Sequence, residues 1–527
     1  MPTKKEKIIK KLITLNPQTE KEFFALTRQE FGQLKLPPPA KSKLLSAYHK
    51  VVKKQPKLKN ANLEKILTKR AVRTLSGVAV VSVLTKPFPC PGNCLFCPTE
   101  KGMPKSYLSN EPAVMRAILN DFDPFRQVAM RLKALQANGH ATDKVELIVM
   151  GGTWSCHPPR YQRWFIKRCL DALNNKTTAT LALAQKQNET AKRRCVGLTL
   201  ETRPDYITPQ EILRLRDLGC TRVELGIQHT DDKILKLNYR GHTAQQSIKA
   251  IKSLKDAGFK INLHLMPNLY GATPALDFKM FQATYTDGDY APDMIKIYPC
   301  VVNKDSRLYK WWRQGQYRPY TDKQLLNLLI KIKRMTPPWV RITRLIRDIP
   351  QESISAGNKI TNLRQLINEQ AQKNGWSCRC IRCREAGHQK NNAQFSILNF
   401  QKLKLKIRRY QASGGREYFL SFESPDKKVL YAFLRLRINQ HSDSSFIPEL
   451  RGCSLIRELH TYGQLAELGN KGEVQHLGLG KKLLMAAEKI SRQNKLKKIA
   501  VISGIGVRQY YKKFGYQLVG TYMVKDL

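Results

Sequence analysis

Cys90, Cys94 and Cys97 lie in CPGNCLFC with a C-x3-C-x2-C spacing, directly after the apolar run VAVVSVLT (78–85). Three closely spaced thiolates on one loop can hold three irons of a four-iron cluster, leaving the fourth iron open to a substrate or cofactor. A structural zinc site would instead close with a fourth protein ligand. A disulfide with a spare thiol needs an oxidising compartment, and nothing else in the chain points to one. The stretch therefore reads as an iron–sulfur loop whose open iron does chemistry.

Other residues have types and spacings of chemical interest. Cys378, Cys380 and Cys383 (C-x-C-x2-C) have the ligand types of a structural zinc site, with a second iron–sulfur cluster or free thiols as alternatives. Cys300 and His388 are both open as the fourth ligand. GGTW at 151–154 closes an apolar run, where Gly151 and Gly152 would let a ligand approach the backbone. Glu201 in ETRPD and Gln228 in ELGIQH end two further runs and would direct polar groups to one mouth; otherwise they are solvated loop residues. QHLGLG (475–480) fits Q-x-x-G-x-G at a helix start, where N–H groups bared by Gly478 and Gly480 can cradle a pyrophosphate. Tyr510 and Tyr511 could place a phenol near a thioester, or be ordinary core tyrosines.

The elements that must position these residues fall into blocks. Residues 1–75 read as helical and basic, with 19 Lys+Arg against 5 acids, and suit a polyanion-binding arm. From 76 to 375, short apolar strands alternate with amphipathic helices: VAVVSVLT, VELIVMGGT, CVGLTLETRP, RVELGIQ, KINLHLMP and MIKIYPC. Such alternation predicts a parallel sheet, and six units fit a partial α/β barrel with ligand sites at the strands' carboxyl ends. Residues 376–392 form a Cys-rich linker. Residues 393–527 read as a separate α+β domain, an antiparallel sheet with a helix from about 479 and a terminal helix.

Composition narrows the function. The 527 residues carry 92 Lys+Arg against 41 Asp+Glu, a net charge of +51 that attracts polyanions, nucleic acid foremost. Charges interrupt MPTKKEKIIKKLITLNPQ before an apolar region of signal-peptide length forms, and no run reaches the roughly 20 apolar residues of a membrane span. Twelve Cys then suggest metal and cofactor chemistry in a cytoplasmic protein with no membrane partner.

The CPGNCLFC triad resembles that of the radical S-adenosylmethionine enzymes, and QHLGLG resembles the acetyl-coenzyme A loop of the GNAT acetyltransferases. Together with DKVELIVMGGT, GLTLETRPDYI, ELGIQH, RGHT, KIYP, RELHTYG, AVISGIGVRQYY and GYQLVGTYM, they make 90–527 similar to the Elongator catalytic-subunit family in its stand-alone prokaryotic form. The gap between the first two cluster Cys is shorter than in eukaryotic members but keeps three thiolates. The resemblance implies a partial radical barrel followed by a GNAT-like domain. It also implies a 4Fe-4S cluster on Cys90, Cys94 and Cys97, with S-adenosylmethionine meeting Gly151, Gly152 and Thr153. Acetyl-coenzyme A would contact Lys144, Glu458, Leu459, His460, Thr461, Gln475, Gly478, Leu479, Gly480, Lys481 and Tyr511.

The implied activity adds a carboxymethyl group to carbon 5 of the tRNA wobble uridine. The 5′-deoxyadenosyl radical would take hydrogen from the acetyl methyl, the carbon radical would add to the uridine, and thioester hydrolysis would follow. The partners are then the tRNA anticodon loop and an electron donor; nothing in the sequence requires accessory subunits. A protein lysine acetyltransferase with a structural iron–sulfur domain is the alternative. It leaves the Cys triad and the charge unexplained, as a radical methylthiotransferase leaves QHLGLG and a pure RNA-binding module leaves both cofactor motifs.

The charge distribution makes one expectation measurable. Binding of tRNA should fall linearly on a log–log plot as salt rises, and deleting residues 1–75, which removes 19 cations and 5 acids, should weaken it. An affinity that is flat between low and physiological salt, or indifferent to the deletion, would reduce the basic arm to a solvated surface.

Overall fold

The computed structural model describes residues 3–68, 76–388, 403–440, 442–462 and 478–527. Four helices, Lys4–Leu15, Glu20–Gln33, Lys41–Lys54 and Ala61–Leu67, open the chain. Thr3, Thr19 and Asn60 cap three of them by accepting from backbone N–H groups. Their apolar stripes meet in a small core of their own around Ile9, Phe23, Leu44, Tyr48 and Leu63.

Seven strands follow: β1 (Ala79–Leu84), β2 (Lys144–Met150), β3 (Arg194–Thr202), β4 (Arg222–Gln228), β5 (Lys260–Leu265), β6 (Met294–Ile297) and β7 (Arg341–Arg344). They lie side by side in sequence order, every pair parallel. Helices cross between them, and five of these begin at a threonine N-cap: Thr180, Thr208, Thr243, Thr273 and Thr321. Each cap satisfies a donor the helix start would leave bare, a contribution of about 1 kcal/mol. Outward-facing Val81, Val83, Leu147, Leu200, Val223, Leu225, Leu263 and Ile295 fill the layer between sheet and helices. This is the open half-barrel expected, with one strand more. RITR (341–344) is short and half basic, so apolar content does not betray it as β7.

A second sheet contains β8 (Lys404–Ala412), β9 (Gly415–Glu423), β10 (Leu430–Asn439), β11 (Cys453–Thr461), β12 (Lys498–Val501), β13 (Gln517–Val519) and β14 (Tyr522–Asp526). Its order is β13-β14-β12-β11-β10-β9-β8. It is mixed rather than wholly antiparallel, because the helix Leu479–Gln493 crosses over and returns β12 parallel to β11. The chain also continues past the expected terminal helix (Arg508–Lys512) into the hairpin β13–β14.

The two sheets share buried charge. Asp293, before β6, accepts from both terminal nitrogens of Arg457 on β11 (2.9 and 2.5 Å), and Arg435 on β10 lies 3.5 Å away. Arg457 continues to Glu417 on β9 (3.0 Å), and Arg435 to Glu458 (2.9 Å). All four side chains of the Asp293–Arg435–Arg457–Glu417 set have no exposure. Burial alone would raise the Asp293 carboxyl, but the guanidiniums of Arg457 and Arg435 outweigh it and hold it well below the usual range.

Removing one partner of such a set strands the others in low dielectric. Asp293→Ala should cost about 3–5 kcal/mol and lower Tm sharply. The depressed carboxyl contributes stability above its unfolded pKa of about 4 and loses it as acid protonates it. The gap between wild type and variant should therefore be full at neutral pH and close below about pH 4. Equal unfolding curves at pH 7 would show that the network does not hold the sheets together.

Candidate active site

Strand ends and their loops assemble one mouth of the half-barrel. The Cys loop follows β1, and the glycine turn follows β2. Gly151 and Gly152 have φ of +134° and +95°, and a Cβ on Gly151 would overlap Thr85 Oγ1, so the turn requires glycine there. Thr153, next along, sets its hydroxyl 3.7 Å from Cys90 Sγ. Glu201 near the end of β3 accepts from the Tyr107 hydroxyl at 3.0 Å, and burial pushes its carboxyl up against the pull of Lys296. Gln228 ends β4 at φ +67°, a conformation side chains rarely adopt, with its Oε1 buried and unpartnered among the described residues.

Two arginines complete this mouth, and neither was singled out from sequence. Arg240 donates from Nη1 to Cys94 Sγ at 3.3 Å. Arg203 is held by Asp205 (2.9 Å) and the Arg240 carbonyl (2.9 Å), while its buried Nη1 lacks a partner among the described residues. A Cβ on Gly92 in the Cys loop would collide with that same Nη1. A cluster held by three thiolates is anionic, so an orphaned guanidinium N–H beside the loop fits it. The available sequence signals were Arg203 within ETRPD and Arg240 within RGHT.

Below this mouth the barrel lumen is polar. Inward positions along the strands are Glu146; Thr199 and Glu201; Arg222 and Glu224; Asn262 and His264; and Lys296. Glu224 forms an ion pair with Lys296 and accepts from Asn262 (3.1 Å) and, as its carboxylate faces the ring, bonds His264 (2.9 Å). Lys296 also reaches Glu201 at 3.7 Å, and Arg222 pairs with Glu146. Burial and the Lys296 charge push His264 down to about 4, so its ring is neutral at pH 7. Burial would lower Lys296, but Glu224 keeps it charged. Alternate polar residues, Arg222, Glu224 and Gln228 in RVELGIQ and Lys260, Asn262 and His264 in KINLHL, were the legible sign of this lining.

The opposite, amino-terminal mouth meets β11. Glu458 lies 3.7 Å from Lys260 at the start of β5, and His460 Nε2 bonds the Ser76 carbonyl (2.8 Å) just before β1. Burial disfavours the Glu458 charge, yet Lys260 and Arg435 keep its carboxyl below the usual range. Leu459 packs on the second sheet's core, and Thr461 ends β11 opposite Ala432. Lys144 is the first residue of β2, paired in register with Arg194, rather than lying ahead of the strand; burial lowers its amine. Lys144, Glu458 and His460 therefore stand at the barrel end away from the Cys loop.

The glycine loop and the tyrosines form another group. Gly478 caps the helix Leu479–Gln493 at φ +70°, leaving the N–H groups of Leu479, Gly480 and Lys481 without intrahelical partners. A Cβ on Gly480 would stand 2.6 Å from the Tyr510 hydroxyl. Tyr510 is 36% exposed and burial pushes its phenol up to about 12, so it stays a hydrogen-bond donor at neutral pH. Tyr511 instead packs in the core with Leu479 and Leu483, its ring edge-on to Tyr510 at 5.3 Å. Gln475 lies outside the described residues.

The sulfurs of Cys378, Cys380 and Cys383 lie within 4.8 Å of one another, the spacing of ligands on one ion with metal–sulfur bonds of about 2.3 Å. Arg364 faces them with a buried Nη1 that has no partner among the described residues, which suits anionic thiolates. Cys300 is not the fourth ligand: it is buried in a different core cluster, bonded to Tyr317. The side chain of His388 lies outside the described residues.

Comparison with known proteins agrees with this layout. Residues 89–275 match the radical SAM superfamily and 292–373 the radical SAM C-terminal domain. The chain is 46% identical over 472 residues to the tRNA uridine(34) acetyltransferase of Methanocaldococcus infernus, covering 88% of each. It is 45% identical to that of Dehalococcoides mccartyi, covering 87% of this chain and all of that one. Elongator complex protein 3 of Homo sapiens is 39% identical, over 88% of this chain and 86% of the human one. An N-terminally deleted archaeal Elp3 from M. infernus superposes with a TM-score of 0.75 at 42% identity, over 86% of this chain and the whole of that one. At these identities and coverages, the chain belongs to the family of the tRNA uridine(34) acetyltransferases and Elongator complex protein 3.

Proposed function

We propose that this protein builds a carboxymethyl group on carbon 5 of the tRNA wobble uridine, with acetyl-coenzyme A as the carbon source. The observation that carries the reading is the half-barrel with two equipped mouths: cluster residues at the carboxyl end, Glu458 and His460 at the amino end, and a polar lumen between. Cys90, Cys94 and Cys97 would hold the cluster, which with S-adenosylmethionine would supply radical chemistry able to activate the acetyl methyl.

The protein's own groups have separable tasks. Cys90, Cys94 and Cys97 hold three irons, and Arg203 and Arg240 balance the anionic cluster. Gly151, Gly152, Thr153, Glu201 and Gln228 seat S-adenosylmethionine, the glycines by baring backbone. Lys144, Glu458, Leu459, His460 and Thr461 hold the coenzyme near the lumen, while Gln475, Gly478, Leu479, Gly480 and Lys481 receive its pyrophosphate. The protonated Tyr510 phenol can donate to the thioester carbonyl as it is hydrolysed, with Tyr511 fixing its ring. Cys378, Cys380 and Cys383 hold a structural zinc. The basic surface tracks the tRNA backbone, and an anticodon-loop base, already partly unstacked, enters a pocket at little cost. An electron donor completes the partners. Among the described residues no helix is long and apolar enough to cross a membrane; the tRNA substrate of this reading would set the reaction in the cytoplasm.

Anaerobic incubation with tRNA, a reductant and both cofactors should yield 5-carboxymethyluridine by nucleoside mass spectrometry. Cys90→Ala, Cys94→Ala or Cys97→Ala should each abolish 5′-deoxyadenosine and product, since removing a thiolate leaves an iron unheld. Full product from a triad variant, or acetylated lysine with the triad destroyed, would favour a protein acetyltransferase.

Gly480→Val should displace the Tyr510 hydroxyl and fill the helix start, lowering product by about a hundredfold while leaving the cluster's absorbance intact. An unaffected rate would remove the glycine loop from the mechanism.

A further inference from the structure

The loop of cluster cysteines is stitched to two neighbouring segments. Leu95 donates its N–H to the Asn238 carbonyl (3.1 Å), Leu308 donates to the Leu95 carbonyl (2.9 Å), and Thr99 to that of Asp305 (2.9 Å). Both segments carry aromatic rings at the surface. Tyr239 keeps 45% exposure and sits at φ +52°, in the turn that delivers Arg240 to Cys94. Trp311 packs edge-on to Tyr239 (6.3 Å) and to Tyr270 (4.7 Å), and Trp312 lies 5.6 Å from Tyr309. The Arg307 guanidinium stands 4.8 Å from the centre of the Tyr239 ring. Beneath them lie Leu95, Leu308 and Tyr317, so the rings have a firm floor. Around them, residues 304–318 carry Lys304, Arg307, Lys310, Arg313 and Arg318 against a single acid, Asp305.

We infer that Tyr239, Trp311 and Arg307 form a stacking platform for an unpaired RNA base that neighbours the uridine being modified. The inference rests on the tRNA reading above and adds to it a surface and a mode of contact. A core rim would explain half-buried rings, but not a strained tyrosine left nearly half exposed among five cations beside the cluster loop. Every base offers a π-face to a ring or a guanidinium, so such a platform accepts RNA without demanding a sequence, while the flanking cations take the phosphates. The base to be modified must come to this same mouth, and holding its neighbour flat would fix the strand's approach.

The two kinds of contact separate by salt. The full-length, anaerobically reconstituted protein is titrated with a fluorescent anticodon stem-loop at several salt concentrations. Tyr239→Leu and Trp311→Leu should weaken binding by roughly five- to a hundredfold at every salt with the log–log slope unchanged. Tyr239→Phe should bind as wild type, which assigns the loss to the ring rather than the hydroxyl, and cluster absorbance and thermal unfolding unchanged in the leucine variants exclude a folding defect. Lys310→Ala or Arg313→Ala should instead make the slope shallower. Wild-type affinity in both leucine variants overturns the platform while leaving the tRNA reading standing; failure of the wild type to bind the stem-loop overturns both. If the leucine variants bind RNA normally but lose S-adenosylmethionine cleavage driven by reduced flavodoxin, and keep that driven by dithionite, the surface serves an acidic redox protein and the inference is wrong.

Discussion

A single buried carboxylate holds the architecture together. Asp293 lies ahead of β6 in the half-barrel, yet its oxygens are taken by Arg457 and approached by Arg435, both from the second sheet. None of the three can be solvated, so each needs the others to be tolerated in low dielectric. Sliding β10 or β11 along the barrel edge would break several charge-assisted bonds at once. β11 also presents Glu458 to Lys260 and His460 to Ser76, so the register set by Asp293 also sets what stands at the amino-terminal mouth.

From that constraint the rest of the layout follows. Parallel strands in sequence order gather every strand-to-helix loop at one end, which brings the Cys loop, the glycine turn, Glu201, Arg203 and Gln228 together. The other end is left for the second domain. Between the two, the lumen is not filled by the branched apolar side chains of a closed barrel; it carries Glu224, Lys296, His264 and Arg222, each held in an ion pair or hydrogen bond. A buried charged lining is costly to maintain, which is the physical reason to connect it with reaction rather than with stability.

Much of this was legible in the residues. Continuous apolar strands separated by helices implied the parallel sheet, and CPGNCLFC implied the cluster loop. What escaped depended on tertiary contact. RITR has too few apolar residues to read as a strand, and becomes one because β6 offers an open edge. The parallel β11–β12 pair arises from the crossover of the helix Leu479–Gln493, which strand composition cannot reveal. Cys300 looked eligible as a metal ligand by residue type, but the fold buries it against Tyr317 in another core. Arg203 and Arg240 are two cations among 92 in sequence, and only their approach to the Cys loop distinguishes them.

The central claim is that the two mouths act on one molecule of acetyl-coenzyme A. Deuterium placed in its acetyl methyl tests this directly. In the presence of tRNA, S-adenosylmethionine and reductant, the account predicts one deuterium in 5′-deoxyadenosine for each uridine modified. 5′-Deoxyadenosine free of label while uridine is modified at the normal rate would contradict it.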